Sequence, residues 1–365
     1  MGDAHRIGVI GLGVISRAYL DTLVGRSAVR VTAVADLDAS RSAAVAAELP
    51  GVQALSVEEL LSSPDVDTVL NLTVPAAHAE IALGAVSHGK NVYGEKPLTA
   101  ELTDARTVLE AASKAAVGVG CAPDTVLGTG VQTARAAVDA GAVGRPLFAS
   151  AVMVTPGHER WHPHPDFYYT AGGGPLLDMG PYYLSSLVHL LGPVRAVIGA
   201  SSRLRTERVI GSGPRAGERI PVEVDSHVSG VLEHEGGALT TITTSFDGVT
   251  TTAAPIEVHG ETGTLTVPDP NTFDGEVRLL ELGAAQWRTL PSSAGYVGAA
   301  RGVGLLDFVA ADGQRPPRAS GEVALHVLET MTALLRSSAE GRRIELSTSV
   351  ERPAPVPLTP PEKWR

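Results

Sequence analysis

From His5 to about Gly120 the chain alternates short apolar runs with longer, Ala-rich stretches of helical character. The runs "RIGVI", "VRVTAVA", "DTVLNLTV", "KNVYG" and "AAVGVG" are continuously hydrophobic rather than alternating, which is the pattern of strands covered on both faces. Between them lie "RAYLDTLV", "SRSAAVAAEL", "HAEIALGAVS" and "ELTDARTVLEAASKA", all helix-like. Strand and helix in this alternation predict a doubly wound parallel sheet, the α/β Rossmann arrangement.

After Gly120 the pattern changes. The helix-like "GVQTARAAVDA" is followed by Thr- and Val-rich segments joined by short Gly turns, "HVSGVLEHEGGALTTITTSF" and "PIEVHGETGTLTV", which predict hairpins of a large open antiparallel sheet. Helices near "LLDMGPYYLSSLVHLL" and "EVALHVLETMTALLRSSAEG" are expected to cover part of it. The expected organisation is a dinucleotide-binding domain over 1–121 and an α+β domain over 122–365 that binds substrate and forms oligomers. The Pro-rich tail "ERPAPVPLTPPEKWR" is expected to be extended and able to pack back on the first domain.

At 365 residues the chain is long enough for two or three domains, and its composition is that of a globular protein. A net charge of −11 disfavours nucleic acid, whose phosphates need a basic face, and no apolar run reaches the roughly 18 residues of a membrane span. Cys121 is the single cysteine, so no intrachain disulfide can form, and the chain enters a strand at once with no signal-like leader. The expected partners are small molecules and the expected compartment is the cytoplasm.

"VIGLGVIS" sets Gly11 and Gly13 between the first strand and the first helix, where a tight turn lets a pyrophosphate sit on a helix N-terminus beside Val14 and Ile15. Ser16 stands where the usual motif has its third glycine. Asp36 closes the second strand 20 residues later, placed to accept from an adenosine ribose. A carboxylate there repels a 2′-phosphate, so NAD is favoured, while the nearby Arg41 keeps NADP open.

Lys96 lies directly before Pro97, at the carboxyl end of "KNVYG". On an open α/β sheet that edge holds the ligand, so Lys96 is expected to point toward a nicotinamide rather than to act as a solvated surface charge. Here "GLGVIS", "NLTVPAAHAEIALGAVSHGKNVYGEKPL" and "GGGPLLDMGPYY" together make the chain resemble the Gfo/Idh/MocA oxidoreductases, from His5 to about Glu340. The resemblance implies that Thr73, Pro75 and His78 form the loop beside the cofactor, that Glu95 lies near the nicotinamide ribose, and that Lys96 is catalytic, with a Lys-Pro bond that is commonly cis in the family. Read without it, His78 is a helix N-terminal residue facing solvent.

The second half concentrates its rings. Trp161, Phe167, Tyr168, Tyr169, Tyr182 and Tyr183 fall within one stretch, with His158, His162 and His164 at its front. Aromatic faces beside ring-edge hydrogen-bonding groups suit a carbohydrate pocket, to which Trp161, His162, His164, Tyr168, Asp178 and Tyr182 are assigned together with Lys96. The spacing of the three histidines could supply metal ligands, but Pro163 and Pro165 argue for an extended loop, and no metal is expected. Gly174 before Pro175 marks a helix start, which puts Asp178 and Tyr182 at i and i+4 on one face; Asp178 could alternatively cap that helix. The family pattern Asp-x-Gly-x-His has Tyr182 in the place of its His, so the resemblance implies Tyr182 as the substitute acid/base.

These readings converge on an NAD-dependent dehydrogenase or reductase moving a hydride between nicotinamide and a secondary carbinol of a sugar, glycoside or cyclic polyol. Two rivals stand beside it: an NAD-retaining glycosidase that oxidises its sugar transiently, and a non-catalytic dinucleotide sensor. The resemblance also implies a homodimer or homotetramer.

Overall fold

The structure is a computed structural model that describes residues 4–311 and 315–364. Its Cα positions group into two compact units. The first comprises the residues up to Leu127 with the described parts of Tyr296–Leu325 and Thr359–Arg365; the second comprises Gly128–Gly295 and His326–Leu358.

The first unit runs β1 His5–Ile10, α1 Ser16–Leu23, β2 Val29–Ala35, α2 Ala39–Glu48, β3 Gln53–Ala54, α3 Val57–Ser62, β4 Thr68–Asn71, α4 His78–Ser87, β5 Asn91–Gly94, α5 Leu102–Ala115 and β6 Val119–Cys121. Its strands pair parallel in the order β3-β2-β1-β4-β5-β6, so the chain reverses its winding between β1 and β4. Ile7, Val9, Val34, Leu70 and Tyr93 are fully buried in this sheet, as its continuous apolar runs require. Helix starts follow local chemistry: Asp38 accepts from the Ser40 N–H ahead of α2, and Ser56 and Glu59 form a reciprocal capping box on α3.

The second unit contains α6 Thr129–Asp139, β7 Pro146–Val154, α7 Pro175–Leu191, β8 Val194–Ser202, β9 Glu207–Val209, β10 Arg219–Pro221, β11 His227–His234, β12 Leu239–Ser245, β13 Ile256–Gly260, β14 Gly263–Val267, β15 Val277–Glu281 and β16 Arg288–Leu290. Both expected hairpins are present, β11 with β12 and β13 with β14. The remaining elements are α8 Val303–Ala311, α9 Gly321–Glu340, β17 Ile344–Glu345 and α10 Pro361–Trp364. The nine-stranded sheet is ordered β16-β15-β14-β13-β7-β12-β11-β8-β17. It is mixed rather than purely antiparallel, because β7 and β12, far apart in sequence, pair parallel at its centre.

The chain returns to the first unit in a way the linear 122–365 assignment did not contain. Leu305 and Phe308 of α8 enter the core around β1, β4 and β5, and Asp124 Oδ2 accepts from the N–H groups of Gly302 and Gly304 at 2.7 and 3.2 Å. In the Pro-rich tail, the Val356 N–H donates to Gln132 Oε1 within the second unit, and the Trp364 Nε1–H donates to the Val297 carbonyl within the first. Among the described residues no helix is long and apolar enough to cross a membrane.

His234 is fully buried: Nδ1 donates to the Gly192 carbonyl at 2.8 Å, and Nε2 accepts from the Thr240 hydroxyl at 2.9 Å. Burial holds this imidazole neutral and pushes its pKa down to about 4. The unfolded chain therefore binds a proton that the folded one refuses, and stability is lost as pH falls from the ordinary histidine value of 6.5 toward about 4. We expect this site to remove up to about 3 kcal/mol across that window. In urea unfolding at neutral and acid pH, His234→Gln, which cannot take up the proton, should lose less stability than wild type.

Candidate active site

Four strands of the parallel sheet deliver the candidate cofactor residues to one carboxyl edge. Gly11 follows β1 with φ of +94°, and a Cβ there would meet the backbone of Leu72 and Thr73 at 2.6 to 2.7 Å, so no side chain can stand at that turn. Two residues on, a Cβ on Gly13 would meet nothing within 4 Å, which leaves open space beside the backbone where a pyrophosphate could approach. Ser16, in the third-glycine position, is buried and turns its hydroxyl back to the Gly13 carbonyl at 2.7 Å.

Asp36 ends β2 as a positioned carboxylate. Oδ2 accepts from the Leu12 N–H at 2.7 Å and Oδ1 from the Asp38 N–H at 2.9 Å, while Arg41 Nη1 lies 3.9 Å away. Val14 and Leu37 flank the edge at 100% and 99% exposure, an apolar surface of the kind a bound nucleotide would cover. The residues present therefore fit a dinucleotide on this chain's own geometry.

The loops after β4 and β5 are tied together by His78, which is buried rather than facing solvent. Its Nδ1 contacts the Pro97 carbonyl at 2.7 Å and its Nε2 the Thr73 carbonyl at 3.0 Å. A neutral imidazole can donate to only one of two carbonyls, and burial pushes the His78 pKa down against their pull toward protonation. Thr73 is fixed further through its N–H and hydroxyl, both donating to Asn71 Oδ1, and Pro75 opens an exposed 3-10 turn. Glu95 is engaged at both oxygens, by the buried Tyr19 hydroxyl at 2.8 Å and by the Lys96 N–H at 3.0 Å. Lys96 is half-buried, and its bond to Pro97 is cis.

The candidate substrate residues lie in the second unit, on the loop between β7 and α7 and on α7 itself. Helix α7 begins at Pro175 after Gly174, an N-cap residue with no side chain to bond the first turn, and Asp178 lies in that turn. Asp178 Oδ2 is 3.0 Å from His158 Nε2. The His158 ring is edge-on to Trp161 and Tyr168 and tilted against Phe246. His162 touches Trp161, Phe167 and Tyr168, and burial pushes its pKa down.

The ring-rich stretch thus divides. Trp161 and Phe167 are more than half exposed and His162 and Tyr168 half-buried, whereas Tyr169, Tyr182 and Tyr183 are at most 6% exposed. His164 is exposed and enters the cluster only through its N–H, which donates to His162 Nδ1 at 3.1 Å. A bidentate Arg215–Asp166 pair, at 2.6 and 3.0 Å, pins the far end of the loop. Among the described residues no group of three or more His, Cys, Asp or Glu is arranged to hold a metal ion. Sequence reasoning named His158 only as one of three clustered histidines and missed its pairing with Asp178; the two residues are 20 apart on different elements, and no local spacing reveals such a contact.

Two family models match the chain: an oxidoreductase family with an NAD-binding Rossmann fold over residues 5–122, and a GFO/IDH/MocA C-terminal domain over residues 131–266. A 1,5-anhydro-D-fructose reductase of Ensifer adhaerens is 30% identical over 95% of this chain and all of its own. An inositol 2-dehydrogenase of Saccharopolyspora erythraea is 30% identical over 73% of both. Among solved structures, an NAD-binding oxidoreductase from Klebsiella pneumoniae superposes with a TM-score of 0.82 at 23% identity, covering 95% of this chain and all of that one. A levoglucosan dehydrogenase in complex with NADH and L-sorbose gives 0.79 at 20%, with the same coverage. At these identities the structural likeness is one of fold.

The two glycines should separate folding from binding. Gly11→Ala is expected to lose about 2 kcal/mol or more of stability through its positive φ and backbone overlap, read by thermal melting. Gly13→Ala should melt like wild type but bind NADH more weakly in a fluorescence titration, because its methyl enters the space kept open for the ligand.

Proposed function

The chain belongs to the Gfo/Idh/MocA oxidoreductase family, and from that premise we propose that it moves a hydride between NAD and a secondary carbinol or ketone of a sugar, glycoside or cyclic polyol. The observation that carries the reading is the set of residues at the carboxyl edge of the parallel sheet: the open Gly13 backbone, the pinned Asp36 carboxylate, and Lys96 beside an engaged Glu95. The names of the relatives, an anhydrofructose reductase and an inositol dehydrogenase, support a polyhydroxylated substrate.

Gly11, Gly13, Val14 and Ile15 hold the pyrophosphate; Asp36, with Arg41 nearby, holds the adenosine ribose; Thr73, Pro75, His78 and Glu95 shape the nicotinamide side. Bound NAD supplies the hydride acceptor. Lys96 and Tyr182 manage the proton of the reacting hydroxyl, with Asp178 orienting the substrate. Trp161 and Tyr168 offer apolar ring faces, and His162 and His164 hydrogen-bond further hydroxyls. The protein acts in the cytoplasm as a homodimer or homotetramer.

Absorbance in the nicotinamide band during incubation with monosaccharides, inositols and glycosides tests the reading: net NADH formation supports a dehydrogenase. Aglycone release without net NADH would replace it with the glycosidase, and binding without turnover would leave a sensor. Lys96→Ala should fold and bind NAD while kcat falls by about 10² to 10⁴. Tyr182→Phe should cut kcat roughly tenfold to a thousandfold with NAD binding spared. Replacing Asp36 by Ser together with Leu37 by Arg should weaken NAD and admit NADP; a wild type that already prefers NADP would refute the role of Asp36.

A further inference from the structure

The imidazole missing from helix α7, where Tyr182 replaces the His of the family pattern, has a counterpart in space. His158 comes from the preceding loop and sets Nε2 3.0 Å from Asp178 Oδ2, with both side chains mostly buried, at 12% and 18% exposure. A carboxylate can only accept, so Nε2 carries the hydrogen and a neutral ring presents Nδ1 as a bare acceptor. Nδ1 makes no hydrogen bond among the described residues, and the ring is packed among those of Trp161, Tyr168 and Phe246.

This placement is built by buried groups. Glu159, the next residue, turns the other way: its Oε1 accepts from Arg208 Nη1 at 3.3 Å and its Oε2 accepts from the Tyr169 hydroxyl. Arg208 is 2% exposed, and it also donates to the Pro156 carbonyl and, through Nη2, to Asp247 Oδ1 at 2.5 Å. Both sides of His158 in the chain are thereby anchored to β9 and to the end of β12. A histidine tethered this way keeps its ring in one orientation.

We propose that His158 is a catalytic residue of the second unit, with Asp178 its orienting partner, so that Nδ1 joins Lys96 and Tyr182 in handling the substrate's proton. The inference rests on the oxidoreductase reading above. In the oxidative direction the carbinol O–H bond breaks and its proton passes to Nδ1; the O–H electron pair becomes the second bond of the ketone as the carbon gives its hydride to NAD. Reduction runs the same transfer backward. The arrangement is the acceptor–imidazole–carboxylate order by which a carboxylate fixes a histidine's tautomer in other enzymes.

Imidazole nitrogen NMR at alkaline pH tests the pairing without any substrate. His158 should show a protonated Nε2 and a bare Nδ1, and Asp178→Ala should mix the two tautomers; a wild-type ring protonated at Nδ1 would overturn the proposal. For turnover, His158→Asn keeps a hydrogen-bond donor toward Asp178 but cannot accept a proton. It should lose about 10² to 10⁴ in kcat, as His158→Ala does, with NADH affinity unchanged, and added imidazole should restore part of the activity of the Ala variant only. Activity of His158→Asn within about twofold of wild type would show a structural role and sink the idea. If the wild type turns over no sugar or polyol, the oxidoreductase reading fails by itself, and the nitrogen spectrum still decides whether Asp178 sets the His158 tautomer.

Discussion

Parallel strands joined by crossover helices must have both faces covered, because neither face is polar enough to meet water. Much of the first unit follows from that requirement. It explains why β1, β2 and β4 are continuous in Val, Ile and Leu, why helices follow nearly every strand, and why the chain comes back after the second unit to add α8. Phe308 of that helix meets the Tyr93 ring edge-on at 6.0 Å and fills the space over Gly118 and Gly120 beside β6. The carboxyl edge is the exception to this coverage, and it is where Val14 and Leu37 stand bare.

Charge is used sparingly inside both units, and two of its buried clusters are ion-paired. Asp307 of α8 takes Arg315 and Arg318 together with the Tyr296 hydroxyl. In the second unit Arg208 binds Glu159 and Asp247. Such pairs add little net stability over apolar residues of the same shape, but deleting one partner strands the other and is expensive. Their value here is positional: the first closes the returning segment on itself, and the second fixes the loop that bears His158.

The alternation of strands and helices, the turn at Gly11, the acid at Asp36 and both Gly-turn hairpins were legible because each is written in a few neighbouring residues. Strand β3 was not, since it has only two residues and both are exposed. Helix α3 carried a readable signal, Ser56 with Glu59, that the hydrophobic pattern alone does not weigh. The parallel pairing of β7 with β12 and the meeting of His158 with Asp178 are products of tertiary folding and have no local signature. Ring content is a coarse signal for a related reason: sequence counts Tyr169, Tyr182 and Tyr183 with Trp161, but burial separates them.

The discontinuity of the first unit bears on how the protein is made. When residues up to Leu127 have left the ribosome, the sheet is complete in strands yet lacks Leu305 and Phe308, so apolar surface around Tyr93 is still uncovered. The whole of Gly128–Gly295 must be synthesised before α8 arrives; at ordinary elongation speeds of about 5 to 20 residues per second that is a wait of roughly ten to forty seconds. The inserted unit has its own sheet and can form meanwhile, which makes the nascent first unit the stage at which a chaperone would find a client.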